Sequence, residues 1–349
     1  MSSILEKAID NFPNRPHLVI LGAGASKDAM PDGDVRGKQL PVMKEFISTM
    51  GITEYVRRID GVPKTDDIEE VYSWLSESGR HQDELFVIEN VIRDYFADIE
   101  LPSTLTKYDL LVLSLRKKDY IATFNWDGAL VQSYMRMRRI TDDMPQMLFL
   151  HGNVEVGYCP ECKTYGHYLA KCHKCGKPFE EVPLLYPVRH KNYQEEGFIS
   201  EQWKILENVV SEAALITIYG YSAPKTDIEA IDILKQSFAR LGTPRFFDTI
   251  EIIERPGFNI DAISDAWVDL SAMAKDHLKI RTSVFDSYMF RNPRRSLDFL
   301  WKRQIRSVWF GESSIKFTKE DIEEDNKFAL ENKLLPLLKN ELNGNFDVL

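Results

Sequence analysis

The residues with the most specific chemistry are the four cysteines, which all lie in one short segment: Cys159, Cys162, Cys172 and Cys175. Each pair is spaced C-x2-C and nine residues separate the pairs, as in two knuckles that together close one tetrahedral zinc site. Two redox pairs are the alternative, but a redox CxxC motif begins a helix, whereas these cysteines stand among glycines and prolines. Because four thiolates leave no position for water, the spacing predicts structural zinc. His167 and His173 lie in the same loop and are alternative ligands.

A glycine turn is the second chemical signature. The apolar run His17–Leu21 predicts a buried strand, and Gly-Ala-Gly-Ala-Ser follows it at positions 22 to 26. Such glycines let a backbone approach a pyrophosphate, and a helix beginning after Ser26 would direct its positive N-terminus at the same group. The third glycine of the usual dinucleotide fingerprint is missing, and a purely structural turn is the alternative.

Polar residues also follow three further predicted strands. These strands are Tyr120–Phe124, Met147–Leu150 and Ala213–Tyr219, and they end in Asn125-Trp126-Asp127, His151-Gly152 and Gly220-Tyr221-Ser222, respectively. Ligands of an open parallel sheet bind outside the carboxyl ends of its strands, so we expect these residues to converge there. Taken singly, His151 could be a core histidine, and Asn125 and Asp127 could form local turns.

The remaining pattern predicts the elements that position these residues. Apolar residues recur at helical spacing from Asp66 to Leu115, and Ile250–Ile253 and Leu278–Val284 are further predicted strands. Thr226 or Asp227 is predicted to cap a helix that runs to Gly242.

The pattern therefore predicts an α/β fold. We expect a Rossmann-like parallel sheet with a helical insertion, a small zinc-ribbon module and a mainly helical C-terminal tail. The expected boundaries are residues 1–285 for the catalytic domain, with its insertion at about 52–117 and its zinc knuckle at about 155–180, and 286–349 for the helical region.

Composition narrows the function. With 44% hydrophobic residues the chain is expected to fold around a packed core, and its net charge of −10 argues against general nucleic-acid binding. Neither a signal peptide nor a long uncharged apolar run is found, so we expect no membrane association and a cytoplasmic location.

These motifs occur in the order Gly22-Ala23-Gly24-Ala25-Ser26, Pro31-Asp32, Asn125-Trp126-Asp127, Leu150-His151-Gly152, the cysteine quartet and Gly220-Tyr221-Ser222. The ordered set resembles the sirtuins. That resemblance implies NAD as substrate, His151 as the general base at the ribose hydroxyls and Asn125 as its catalytic partner, and imidazole suits this role because its ordinary pKa is about 6.5. It implies the following cofactor-binding residues: Gly22, Ala23, Gly24, Ser26, Asp32, Asp127, Gly220 and Ser222.

The chain departs from the deacetylases of that family. Gly33-Asp34 replaces the usual Phe-Arg after Pro31-Asp32, with Arg36 as a displaced substitute, and a Phe-Gly-Glu clamp for acyl-lysine is absent from the sequence. The segments Pro187–Lys191 and Gly220–Asp227, with Trp203, resemble instead the divergent sirtuin-like domains of bacterial antiphage systems. This resemblance implies hydrolysis of NAD, with water as the nucleophile.

Two alternatives remain open at this stage. The zinc knuckle favours an NAD-dependent protein deacylase or ADP-ribosyltransferase, and a non-catalytic NAD or ADP-ribose sensor is the other. The resemblance to defence systems also implies a homo-oligomer and a motor ATPase or nuclease partner. The basic and aromatic segment from Phe290 to Phe310 is predicted to be a packed helix or, alternatively, a partner interface.

Overall fold

Parallel strands form the central sheet in the computed structural model, which describes residues 11–186, 197–223, 227–239, 248–255, 278–301 and 330–342. The strands in chain order are β1 His17–Leu21, β2 Tyr120–Thr123, β3 Gln146–Phe149, β4 Val156–Cys159, β5 Thr164–His167, β6 Glu180–Glu181, β7 Leu215–Tyr219, β8 Thr249–Ile253 and β9 Leu278–Arg281. Six of them pair in parallel in the order β3-β2-β1-β7-β8-β9. The Rossmann-like parallel sheet is thereby confirmed, and its strand order reverses between β1 and β7.

Helices surround this sheet. They are α1 Ala23–Ala29, α2 Phe46–Thr49, α3 Thr53–Arg57, α4 Ile68–Ser78, α5 Gln82–Ala97, α6 Lys107–Leu113, α7 Ala129–Met137, α8 Phe198–Glu212, α9 Ile228–Phe238, α10 Tyr288–Arg291, α11 Ser296–Leu300 and α12 Leu335–Leu342. The predicted helical insertion between β1 and β2 is present as α3 to α6. No helix among the described residues is long and apolar enough to cross a bilayer.

Several predicted boundaries were wrong; strand β7, for example, begins at Leu215 rather than at Ala213. Helix α1 begins at Ala23 rather than after Ser26, because the chain turns into the helix at Gly22 itself. Strand β9 ends at Arg281, since Ser283 caps a short 3-10 helix by accepting from the amide of Phe285. Helix α9 ends at Phe238, and the Ala239 amide makes its last α-helical bond, to the Lys235 carbonyl at 3.0 Å, whereas Gly242 lies outside the described residues.

The two faces of the sheet bury different sets of side chains. Val19 and Leu21 pack on one face with the insertion helices and α7, whereas Leu18 and Ile20 pack on the other with α8 and α9. All five residues of β1 are buried, as expected for a parallel strand covered on both faces. The sheet is therefore the middle layer of three.

The C-terminal segments pack onto this body. The Arg294 side chain is 1% exposed and donates to Glu341 Oε2 in α12 at 2.6 Å and to the carbonyl of Leu115 at 3.0 Å. Phe299 is buried as well. Packing therefore accounts for the described part of the basic and aromatic segment, whereas Trp309 and Phe310 lie outside the described residues.

The ends of β1 and β7 cross backbone to backbone. The amide of Gly24 donates to the carbonyl of Gly220 at 3.0 Å, and the amide of Gly22 donates to that of Tyr219 at 3.0 Å. Gly220 has a φ of +63°, and a Cβ at this position would lie 2.1 Å from the amide nitrogen of Ala25. The crossing therefore needs glycine for both its conformation and its closeness.

We expect Gly220→Ala to destabilise the fold more than Gly51→Ala. Gly51 has a φ of +73° with open space around its Cβ position. Its substitution should therefore cost only the left-handed backbone penalty of about 1–2 kcal/mol. Gly220→Ala adds overpacking of about 1–3 kcal/mol to the same penalty. Urea unfolding of the two variants checks this, and equal losses would contradict the tight crossing.

Candidate functional site

A cavity of about 730 Å³ opens at the point where the strand order reverses. Its volume is that of a small-molecule site, and the fold places such sites at this position. The structure brings most of the predicted site residues onto its wall: Gly22, Ala23, Gly24, Ser26, Asn125, Asp127, His151, Gly220 and Ser222. Asp32 is exposed and lies off this wall, although its neighbour Pro31 is on it.

Asn125 joins the end of β2 to the glycine turn. Its Nδ2 donates to the carbonyl of Gly22 at 2.9 Å and to Ser26 Oγ at 2.8 Å. Because a carbonyl can only accept, the NH2 group must face the turn, and the amide is fixed in one orientation. The amide oxygen is then the atom of this side chain that can accept a hydrogen bond from a ligand.

Ser26 and Asp127 are bonded to each other in the floor of the cavity. Ser26 Oγ donates to Asp127 Oδ2 at 2.8 Å, and the Tyr108 hydroxyl lies 2.8 Å from the same Ser26 oxygen. Burial raises the pKa of Asp127 to about 6, against the opposing effect of the Ser26 bond. The one hydroxyl proton of Ser26 is therefore already engaged within the protein, and a phosphate would have to compete for it.

His151 follows β3 and is 5% exposed. Its ring meets the ring of Phe124 edge to face at a centroid distance of 4.8 Å. Trp203 donates to the carbonyl of Leu150 at 3.0 Å and so supports the peptide that carries the histidine. The imidazole is thus held by aromatic packing while it remains on the cavity wall.

Asp227 occupies the N-cap position of α9, one of the two positions that the sequence predicted, but it does not make the predicted side-chain contact. It precedes α9, but its side chain makes no capping hydrogen bond. Instead, Asp227 Oδ2 accepts from the Tyr221 hydroxyl at 2.9 Å, and Oδ1 lies 3.9 Å from His151 Nε2. The one sequence feature that could have indicated this role was an acidic residue in the segment after a strand end. Thr226, the other predicted cap, lies outside the described residues.

Asn153 is a second residue that sequence reasoning missed. Its Nδ2 donates to the carbonyl of Asp127 at 2.6 Å and to that of Asn125 at 3.3 Å. This buried amide therefore connects the segment after β3 to the segment after β2. Only its position two residues after His151 pointed to it.

The far end of the cavity lies at the next two strands. Glu254 and Arg255 follow β8, and Thr282 and Ser283 follow β9, and all four are on the wall.

Arg36, predicted as a displaced substitute for the family's arginine, lies elsewhere. It pairs with Asp34 at 2.9 Å at the surface and is off the cavity wall.

The four cysteines converge in a small antiparallel sheet ordered β5-β4-β6. Their sulfur atoms all lie within 4.8 Å of one another, and Cys159 Sγ is 3.6 Å from Cys175 Sγ. Zn–S bonds of about 2.3 Å in a tetrahedron separate sulfurs by about 3.8 Å, so the donor set fits zinc. His173 is exposed, and His167 Nε2 lies 2.8 Å from Glu155 Oε2. Neither histidine joins the cluster.

This zinc module begins and ends beside His151. The chain enters it through Gly152, and after it the amide of Leu185 donates to the His151 carbonyl at 2.9 Å. Gly152 has a φ of +77°, and a Cβ there would lie 2.0 Å from the carbonyl oxygen of Pro183. Both ends of the module therefore press against the peptide that carries the histidine.

Comparison with known proteins adds only distant likenesses. No protein-family model matches the sequence, and no curated protein does. Similar solved structures include a Sir2 homologue in complex with NAD (14% identity, TM-score 0.39, 85% of this chain and 94% of that chain) and a mutant Sir2 homologue in complex with ADP-ribose (15%, 0.34, 88% and 99%). A third is a Sir2 protein bound to a myristoylated histone peptide (13%, 0.31, 89% and 100%). We therefore base the function on the geometry of the site.

We expect the purified protein to contain about one zinc ion per chain. Cys172→Ser and Cys175→Ser should each lose the metal and destabilise the protein by at least about 2 kcal/mol, because metal binding contributes to folding. Elemental analysis and thermal unfolding measure the two effects. His173→Ala is the matched control and should retain zinc. Full zinc in the cysteine variants, or disulfides in the native protein, would favour the redox alternative.

Proposed function

We propose that this chain is an NAD glycohydrolase that releases nicotinamide and ADP-ribose. The observation that carries the proposal is one cavity at the reversal of strand order, with glycine turns on both central strands and Asn125 and His151 on the two strands beyond β1. A site that is lined by residues after all six strands of the sheet suits a dinucleotide whose pyrophosphate lies over the central strands.

The phosphates would lie beside Ala23. The amides of Gly22 and Gly24 are already bonded to carbonyls of the β7 end. Ala23 occupies the first position of α1 and lies on the cavity wall, so its amide is the best placed donor of the turn. We assign the far end, at Ser222 and Glu254, to the adenosine half of NAD.

The reaction would occur between Asn125 and His151. The oxygen of a water molecule attacks C1′ of the nicotinamide ribose, the C1′–N bond breaks, and its electron pair leaves with nicotinamide, which becomes neutral. The Asn125 amide oxygen can accept from this water, since its NH2 group is engaged by Gly22. His151 acts as general base at the ribose hydroxyls and takes up the proton that the reaction releases.

Zinc would have a structural task in this scheme. Four thiolates from Cys159, Cys162, Cys172 and Cys175 would hold it and leave no coordination position for a substrate. Its contribution would be to keep the small sheet folded beside His151.

We place this activity in a bacterial defence system against phage, on the resemblance of the segment Gly220–Asp227. Unregulated hydrolysis of NAD would harm the host, so we expect a homo-oligomer whose activity is gated by assembly or by a trigger. A motor ATPase or nuclease of the same system is the proposed partner. Residues 1–285 would form the catalytic domain and 286–349 the helical region.

Asn125→Ala and His151→Ala should each lower NAD hydrolysis at least about 10²-fold, because each removes a group from the reacting centre. Chromatography of NAD, nicotinamide and ADP-ribose measures this for the free and the assembled protein. The matched controls are Asn90→Ala on α5 and His81→Ala at the residue directly before α5, which should behave like wild type.

Three outcomes would contradict NAD hydrolysis. The first is that wild type in every assembled or triggered form produces no ADP-ribose. The second is turnover of an acyl-peptide that consumes one NAD per acyl group, as a deacylase would show. The third is tight nucleotide binding without turnover, which would indicate a sensor.

A further inference from the structure

We propose that Asp227 is a positioning residue for His151, which orients the imidazole and keeps its proton on Nε2. The inference deepens the proposed function and rests on it for the kinetic consequence. The placement of the proton itself can be tested without any turnover.

The first observation is that Asp227 is buried without serving the helix that it precedes. It is 4% exposed, although it makes no cap for α9. Aspartate at this position usually bonds an amide of the first turn, and a buried carboxylate needs polar partners. Tyr221, after β7, and His151, after β3, both lie near its carboxylate, so the start of α9 carries the carboxylate to the cavity rather than to the helix.

The second observation is that the Asp227 carboxylate is held in one orientation. The Tyr221 hydroxyl donates to Oδ2 at 2.9 Å, which leaves Oδ1 on the side of the imidazole. The Tyr221 ring stacks on Phe124 with a centroid distance of 4.2 Å and an interplanar angle of 6°. Phe124 in turn meets the ring of His151. Three packed rings therefore fix the relative positions of the carboxylate and the histidine.

The third step concerns the proton. A carboxylate accepts hydrogen bonds and does not donate them, so the imidazole nitrogen nearest to it favours the N–H form. The distance of 3.9 Å between Nε2 and Oδ1 is longer than a hydrogen bond, but it is short enough for strong electrostatic coupling in a buried site. Such contacts often shorten when substrate binds. In a neutral imidazole that carries its proton on Nε2, Nδ1 is the nitrogen that can accept a proton.

The direct test is nuclear magnetic resonance of protein labelled with ¹⁵N-histidine, at a pH where the imidazole is neutral. The His151 signals are identified by their loss in His151→Gln. We expect the Nε2–H form in wild type and a shift towards Nδ1–H in Asp227→Asn, because the new amide can donate to Nε2. Asp232→Asn, an exposed site on the same helix, is the control and should match wild type. An unchanged His151 form in Asp227→Asn would overturn the proposal.

Kinetics supply a second readout. Asp227→Asn should lower kcat about 10²-fold and change KM by less than about threefold, since the wrong tautomer impairs the base rather than binding. Tyr221→Phe keeps the stacked ring and should lower kcat about tenfold. A raised KM with unchanged kcat, or a variant that has lost its thermal unfolding transition, would overturn the positioning role. Absence of NAD turnover in wild type would overturn the proposed function instead, whatever the tautomer.

Discussion

The backbone contact between Gly24 and Gly220 is the constraint on which the site depends. A Cβ on Gly22 would lie 2.5 Å from the Gly220 carbonyl oxygen, so side chains are excluded from the crossing. The two strands on either side of the reversal therefore end at the same level, and the cavity opens directly above them. These glycines are required by the crossing itself, whether or not a phosphate lies above it. The glycines therefore have the purely structural role that was the alternative to phosphate binding. This role is compatible with ligand binding.

A layer of satisfied polar groups supports this crossing from below. Asn125 bonds the carbonyl of Gly22, Ser26 bonds Asp127, and Asn153 bonds the carbonyl of Asp127. Each bond joins segments that are distant in sequence, so the floor of the cavity cannot change without breaking buried hydrogen bonds. Because such groups are costly to leave unpaired, the arrangement is rigid before any ligand binds. Rigid polar groups of this kind can stabilise a charge that develops in a transition state without having to reorganise.

The sequence predicted most strands and the cysteine cluster because these features are local. Runs such as His17–Leu21 are apolar throughout, and the spacing of the cysteines is itself the geometry of the ligand shell. The role of Asp227 could not be predicted from the sequence, because an aspartate before a helix can either cap that helix or contact a buried side chain. Its task is decided by Tyr221 and His151, which the fold brings together from other strands. The engaged hydroxyl of Ser26 was equally hidden, since Tyr108 and Asp127 lie far from it in sequence.

His151 is consequently supported from two independent directions. The His151 carbonyl accepts from the amide of Leu185, and the carbonyl oxygen of Pro183 lies close to the neighbouring Gly152. Pro183 and Leu185 follow the zinc module in the chain, so their positions depend on its folding. The His151 ring is held by Phe124 and faces the carboxylate of Asp227, which depends on β7 and α9. The cysteines are off the cavity wall, so the zinc module can act on the site only indirectly, through contacts such as the hydrogen bond from the Tyr165 hydroxyl to the Met147 carbonyl of β3. Loss of the metal should therefore displace the peptide of His151 while the hydrogen bond between Tyr221 and Asp227 remains.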